Sequence, residues 1–290
     1  MPNDNSGLGN RMKSYEDVTR YYLLPRSYVF CRIDGCHFHS YLKGCTRPFD
    51  ASVIEDMDAT AIYLCENVQN VKLGYVQSDE ITLLLCDFMN YNTSQFFDGN
   101  IQKISSVVAS MATAMFNRLR SRRVVDENLP YATFDCRCWM VPTQWEAANT
   151  FIWRNQDCSR NSVSMVAQSL YSHNQLMGKS TKDMHEMIHD KGRSWVNDFS
   201  DGEKNGRIIV KESFTDTISV PDIQNFKVVP QVVQRSRWIS KGAWKFTEDK
   251  NKLLEMIPKY ESDEIRVNNK KKIDSLVDAA SLGIFDKMMK

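Results

Sequence analysis

No stretch of the 290-residue sequence approaches the roughly eighteen consecutive apolar residues that a membrane-spanning helix needs. The first residues are polar, without the apolar core of a secretory signal. A soluble, cytoplasmic protein with no membrane partner is therefore expected. Charge of one sign is also missing: 37 Lys and Arg stand against 36 Asp and Glu, so any contact with nucleic acid must rest on local patches. Internal repeats and low-complexity tracts are absent, and 42% hydrophobic residues is ordinary for a globular chain long enough for one large domain or two small ones. The cysteines at positions 31, 36, 45, 65, 86, 136, 138 and 158 have no repeated spacing and lie mostly in apolar runs. That argues against a disulfide framework and for buried free thiols in a reducing compartment. Cys136 and Cys138, two apart in an expected strand, share a face and could share a metal, but no second pair completes a four-ligand site.

What is present is organised around Gly74–Leu85, where two strand-like apolar runs meet at Gln77-Ser78-Asp79-Glu80. Upstream, Tyr28–Ile33 reads as a buried strand that stops at Asp34-Gly35, and a glycine there lets a ligand approach the backbone. If both strands belong to one sheet, Asp34 and Asp79 can clamp one or two hard divalent cations, the chemistry of phosphoryl and nucleotidyl transfer. Glu80 is the neighbouring candidate acid.

In chain order, a helix begins near Arg11 and runs towards Leu24, where Pro25 ends it. After the first strand, Ile54 to Leu64 is apolar at helical spacing, as is Ile101 to Leu119, and Tyr131–Met140 reads as a strand. The order strand, helix, strand, strand, helix, strand predicts an α+β, ferredoxin-like polymerase palm (βαββαβ). Strands one and two run parallel there with strand three antiparallel between them, which brings Asp34 beside Asp79-Glu80. The second half reads as helical: 143–154, 162–170 and 181–189, with a peripheral hairpin pairing Gly206–Val210 with Phe226–Val229, and a charged helical tail from Thr247. The expected division is a palm-like core at 1–142, a helical, fingers-like region at 143–240 and the tail region at 241–290. Arg118, Arg120, Arg122 and Arg123, at the end of the long helix, are expected to contact RNA phosphates, together with Arg160.

Two short motifs point elsewhere. His185-Glu186-Met187-Ile188-His189 matches the zinc-peptidase pattern of two histidines one helical turn apart with a glutamate base. No third ligand is evident, and Met184, Met187 and Ile188 supply an apolar stripe that makes these residues an ordinary helix face. Gly178-Lys179-Ser180-Thr181 echoes the end of a phosphate-binding loop, but His173 stands where the first glycine is needed.

Taken together the motifs resemble those of the tRNA(His) guanylyltransferase-like family over roughly residues 8–210. Arg11–Glu16 is similar to the family's opening, Arg32–Gly35 with Phe38-His39 to its first metal motif, and Gln77–Glu80 to its second. Arg47–Asp50, Phe134-Asp135 with Arg137 and Pro142, and Trp153–Cys158 running into Asn161-Ser162 follow in order. The resemblance implies that Asp34, the Gly35 carbonyl and Asp79 hold two Mg²⁺ ions, and that His39, Arg47, Asp50, Ser78, Lys103 and Asn161 bind the nucleotide. It further implies ATP, GTP and other NTPs as substrates, tRNA or another structured RNA as partner, and a homotetramer. Cys36 and Val76 depart from the family pattern, and Cys158–Ser162 lacks the His-Ile-Asn-Asn signature of the eukaryotic enzymes. It looks instead like the bacterial, archaeal and protist branch, whose implied work is template-directed 3′-to-5′ repair of 5′-truncated tRNA. The in-family alternative is addition of one G to tRNA(His).

Overall fold

A computed structural model describes residues 7–124, 130–222 and 227–260. In order these form α1 (Gly7–Asp17), β1 (Tyr28–Gly35), α2 (Phe38–Tyr41), α3 (Ala51–Asn67), β2 (Val71–Gln77), β3 (Glu80–Cys86), α4 (Ile101–Arg123) and β4 (Phe134–Val141). Then come α5 (Gln144–Leu170), α6 (His173–Leu176), α7 (Thr181–Asp190), α8 (Trp195–Asp198), α9 (Asp201–Asn205), β5 (Arg207–Asp222), β6 (Lys227–Gly242) and α10 (Lys250–Met256). Among the described residues, no helix is long and apolar enough to cross a membrane.

The strands make one sheet in the order β4-β1-β3-β2-β5-β6, every neighbouring pair antiparallel. β3 thus lies between β1 and β2, which are parallel to each other, as the palm requires. Strand alternation divides the core in two. Val29, Cys31 and Ile33 of β1 join Ile81, Leu83 and Leu85 of β3 beneath Met57, Ala61 and Leu64 of α3 and Ile104 and Val108 of α4. Tyr28, Phe30 and Leu84 take the opposite face, against Ala147 and Phe151 of α5 and Leu253 of α10.

Four expectations need correction. α1 stops at Asp17 rather than near Leu24, because the Tyr21 carbonyl accepts from the Ile101 N–H (3.0 Å) and the Leu23 N–H donates to the Gly99 carbonyl (2.9 Å), which holds that segment extended. The two helices expected in 143–170 are one, continued across the polar middle by i,i+3 pairs of Asp157 with Arg154 and with Arg160, both at 2.9 Å. The hairpin is neither short nor peripheral: Arg207–Ile209 pair with Val76–Gly74 of β2, and Arg207 lies opposite Gly242, not in the Phe226–Val229 stretch. Gly206 makes that entry possible at φ 80°, where a Cβ would lie 2.5 Å from the Tyr75 hydroxyl oxygen. Finally, the start of the expected tail packs into the core. Phe246, Leu253 and Ile257 are buried, and Gln144 of α5 donates to the Leu254 and Ile257 carbonyls at 3.0 and 2.7 Å. The remainder of that tail, from 261, lies outside the described residues.

The α3–α4 contact carries a buried ion pair. Asp56, fully buried, accepts from Arg120 Nη1 at 3.0 Å and from Arg123 Nε at 2.6 Å, and Arg120 also donates to Ser52 Oγ at 2.9 Å. Asp56→Ala would leave the Arg120 guanidinium desolvated without its counter-charge, so a loss of about 3–5 kcal/mol is expected. Denaturant unfolding checks this, and a change under about 1 kcal/mol would show that the pair contributes little.

Candidate active site

The end of β1 is held against the β2–β3 turn. Asp34 pairs in register with Glu80 on one side and with Asp135 of β4 on the other, and the Gly35 N–H donates to the Asp79 carbonyl at 3.2 Å. The turn is two residues long, and Ser78 takes the left-handed conformation, φ 46°, to close it. The resulting side-chain directions separate acids that are adjacent in sequence.

Glu80 is buried and committed. Arg154 of α5 donates Nε to Oε1 and Nη2 to Oε2, both at 2.7 Å, while Gln77 adds a bond at 3.0 Å and Arg32 Nε stands 3.7 Å from Oε2. Glu80, expected as a catalytic acid, is thus turned to α5 and does not line the cavity described below. Its lone pairs are spent on tying the sheet to α5, a forked pairing of the strong kind.

Asp79 is different. Burial pushes its carboxyl up, the negative charges of Asp34 and Glu80 push it the same way, and a hydrogen bond from Ser78 offsets only part of this. Among the described residues neither Asp34 nor Asp79 has a cationic partner. Two acids at one sheet edge with uncompensated repulsion are a donor set that a hard divalent cation would fit.

A cavity of about 620 Å³ opens beside the turn. Gly35, Ser78 and Asp79 line it from the sheet, His39, Arg47 and Asp50 from the segment leading into α3, and Asn161 from α5. Asp34 adjoins the lining residue Gly35 without itself lining the cavity. Asp50 caps α3: Oδ1 accepts from the Ser52 and Val53 N–H groups at 3.0 and 3.1 Å and from Ser52 Oγ at 2.6 Å, and Oδ2 from the Thr46 N–H at 2.9 Å. It shapes the wall and has little acceptor capacity left for a ligand.

The structure does not bring Lys103 to the cavity. α4 starts beside Tyr21 and Leu23, at the end of the sheet away from the Ser78-Asp79 turn, and the Lys103 ammonium sits 4.6 Å from the Phe97 ring centre. The four arginines expected on RNA also divide. Arg120 is buried in its pair with Asp56 and is removed from the set, Arg123 is held by Asp56 and by Glu55 at 2.8 Å, and Arg118 and Arg122 are exposed. Arg160 is exposed, 2.9 Å from Asp157, and does not line the cavity.

Arg207 is the residue that sequence reasoning missed. It lines the cavity from the start of β5, its Nε donates to Asp58 at 2.7 Å, and its buried Nη2 has no hydrogen-bond partner. A glycine before a cation at a strand start was the available signal, but the pairing of that strand with β2 was not legible. The alternative zinc motif finds no support: Ile188 is buried with Met184 and Met187 packed beside it, the His185 ring stands edge-on to Trp195 with centres 5.3 Å apart, and His189 and Glu186 are exposed.

The family model described as tRNAHis guanylyltransferase matches residues 9–142. A solved structure, a bacterial tRNA(His) guanylyltransferase (Thg1)-like protein in complex with ATP, is 39% identical and superposes with a TM-score of 0.75 over 87% of this chain and 99% of that one. The chain belongs to the tRNA(His) guanylyltransferase-like family. It is accordingly an enzyme of the nucleotidyltransferase class. A bacterial Thg1-like protein in complex with GTP is 38% identical, TM-score 0.70, over the same shares of each chain. Among curated proteins, tRNA(His) guanylyltransferase 2 of Arabidopsis thaliana is 27% identical over 189 residues, 61% of this chain, which spans only 34% of that protein. For this family member the matched stretch holds Asp34 and Asp79, whereas Asn161 and Arg207 come from elements beyond it.

The cap at Asp50 generates a pH prediction. Burial pushes its carboxyl up, but the hydrogen bonds from the Ser52 hydroxyl and the Thr46, Val53 and Ser52 N–H groups outweigh this and bring it to about 2. A depressed carboxyl stabilises the fold above its unfolded value of about 3.9 and loses that contribution as pH falls through the folded value. Asp50→Ala is expected to cost about 1 kcal/mol near neutral pH. In urea unfolding across the acid range, the gap from wild type should close between pH about 4 and about 2. A gap independent of pH would contradict the capping role.

Proposed function

We propose that this enzyme is a template-dependent 3′-to-5′ nucleotidyltransferase that activates the 5′ end of an RNA with ATP and adds NTPs, repairing 5′-truncated tRNA. The observation that supports this most is the pairing of two uncompensated acids at the palm edge with a nucleotide-sized cavity lined by Arg47, His39 and Arg207. That bacterial relatives 39% and 38% identical are seen with ATP and GTP is consistent with nucleoside triphosphates as the occupants.

In this reading Asp34, the Gly35 carbonyl and Asp79 would hold Mg²⁺, which when bound supplies neutralisation of triphosphate charge and activation of a 3′-hydroxyl. Arg47, exposed in the cavity wall, donates to phosphate oxygens, where guanidinium geometry is well matched, and Arg207, held by Asp58 at 2.7 Å, adds positive charge behind that wall. Asn161, held loosely by Asp157 at 3.4 Å, is free to turn its amide to the nucleotide. The RNA 5′-monophosphate attacks the α-phosphate of ATP and pyrophosphate leaves. The 3′-hydroxyl of the incoming NTP then attacks the activated 5′-phosphate and AMP leaves, so the RNA is one residue longer and ends in a triphosphate. Later additions displace pyrophosphate from that end. Arg118 and Arg122 offer phosphate contacts that carry no base information, leaving base choice to pairing with the opposite strand. A homo-oligomer belongs to the same reading.

The second reading, a single untemplated G on tRNA(His), follows from the names of the curated relatives. The two separate on duplex RNA ends that differ only in the base opposite the missing 5′ nucleotide. Ends offering C, A or G should receive G, U or C, and added salt should weaken binding without altering that choice. Incorporation of G at every end would reject repair in favour of guanylylation.

A further inference from the structure

We propose that Cys31, Cys136 and Cys138 form a binding site for one thiophilic d¹⁰ cation, Zn²⁺ or Cu⁺, beneath the sheet and apart from the nucleotide cavity. Two of these residues were legible as a pair on one strand face without a partner. The fold supplies the third. Cys31 of β1 lies directly opposite Cys138 of β4 in the register, and Cys136 is two residues along on the same face. Their sulfurs converge: Cys31 Sγ is 3.6 Å from Cys138 Sγ, Cys138 Sγ is 3.9 Å from Cys136 Sγ, and all three lie within 4.8 Å of one another. Tetrahedral coordination with Zn–S bonds of about 2.3 Å places neighbouring sulfurs about 3.8 Å apart, so the three thiols already occupy close to one face of such a polyhedron.

The frame around them is rigid. β4 is anchored to α4 by the Phe134 N–H donating to Thr113 Oγ1 at 3.2 Å and by the Asn117 amide donating to the Ala132 carbonyl at 2.7 Å, and β1 is an interior strand of the sheet. Preorganised thiols with no oxygen or nitrogen ligand in the cluster select soft ions over Mg²⁺, so this site and the acid pair do not compete for the same metal. Binding displaces thiol protons to solvent as sulfur–metal bonds form, with no change of oxidation state, so affinity rises with pH. The bound ion would brace β4 to β1, whose end carries Asp34-Gly35.

The test uses the full chain, reduced with a phosphine and stripped of metal. Zn²⁺ is titrated against a chromophoric zinc chelator in one arm, and Cu⁺ against a copper(I) chelator in the other. One equivalent should bind in wild type and in Cys86→Ala, whose thiol lies in the other core face, and should be lost in Cys31→Ala and Cys138→Ala with the circular dichroism spectrum retained. The tighter arm identifies the ion. Should a variant fail to fold, the unaltered chain decides: one equivalent of Cd²⁺ must saturate a sulfur-to-cadmium charge-transfer band. No uptake in either arm, no cadmium band, or one equivalent retained in Cys31→Ala would overturn the proposal and leave the three thiols as core filler.

Discussion

The buried pairing of Glu80 with Arg154 is the contact on which the geometry of the candidate active site depends. It joins the first residue of β3 to the middle of α5 by two hydrogen bonds of 2.7 Å, with Gln77 completing the acceptor's shell. Because Glu80 directly follows the turn, fixing its carboxylate fixes Ser78 and Asp79, and the Gly35–Asp79 backbone bond passes that constraint to the end of β1. α5 is held by a second latch at the next residue. Asn155 donates to the Asn205 carbonyl at 2.8 Å and accepts from the Phe246 N–H at 2.9 Å, bringing the β5 entry and the segment before α10 to the same helix. The cavity is the space these ties leave between the turn, the entrance to α3 and α5.

Electrostatics follows from that frame. Adjacent acids in sequence are given opposite duties by strand alternation and turn geometry: Glu80 is paired with Arg154 from the α5 side, and Asp79 is raised by burial and by the nearby Asp34 and Glu80 charges. The cations fall into two groups as well. Arg154 and Arg120 are consumed in buried pairs, Arg207 reaches the cavity wall while paired with Asp58, and Arg47 is exposed in that wall. A site that keeps acids unpaired at one edge and guanidinium donors nearby suits a metal-assisted reaction on a polyphosphate.

Much of this was legible in the residues, for identifiable reasons. Apolar runs that stop at Asp34-Gly35 and at Ser78-Asp79 mark strand ends, and the strand–helix order admits few topologies, so the convergence of Asp34 with the turn could be deduced. What could not be read were partners in three dimensions. Arg120 continues the four-residue spacing of Ile104, Val108, Ala112 and Phe116, unlike Arg118 and Arg122, but its partner Asp56 lies on another helix and could not be read locally. Lys103 sat in no matched motif, and only the direction of α4 shows that it starts at the wrong end of the sheet. The Gly206–Val210 stretch was visible as a strand, but its pairing with β2 depends on α5 to α9 returning the chain to that edge. Cys31 carries no signal of Cys138 until β1 and β4 are laid side by side.

We propose that Asp34 and Asp79 make the cavity a metal-dependent nucleoside triphosphate site. Calorimetric titration of ATP into the enzyme, with and without Mg²⁺, tests it without requiring the RNA substrate. Wild type should bind ATP more tightly when Mg²⁺ is present, and Asp34→Ala and Asp79→Ala should lose that Mg²⁺ enhancement while keeping the wild-type circular dichroism spectrum. Equal affinities for ATP and an equal response to Mg²⁺ in wild type and both variants would contradict the account.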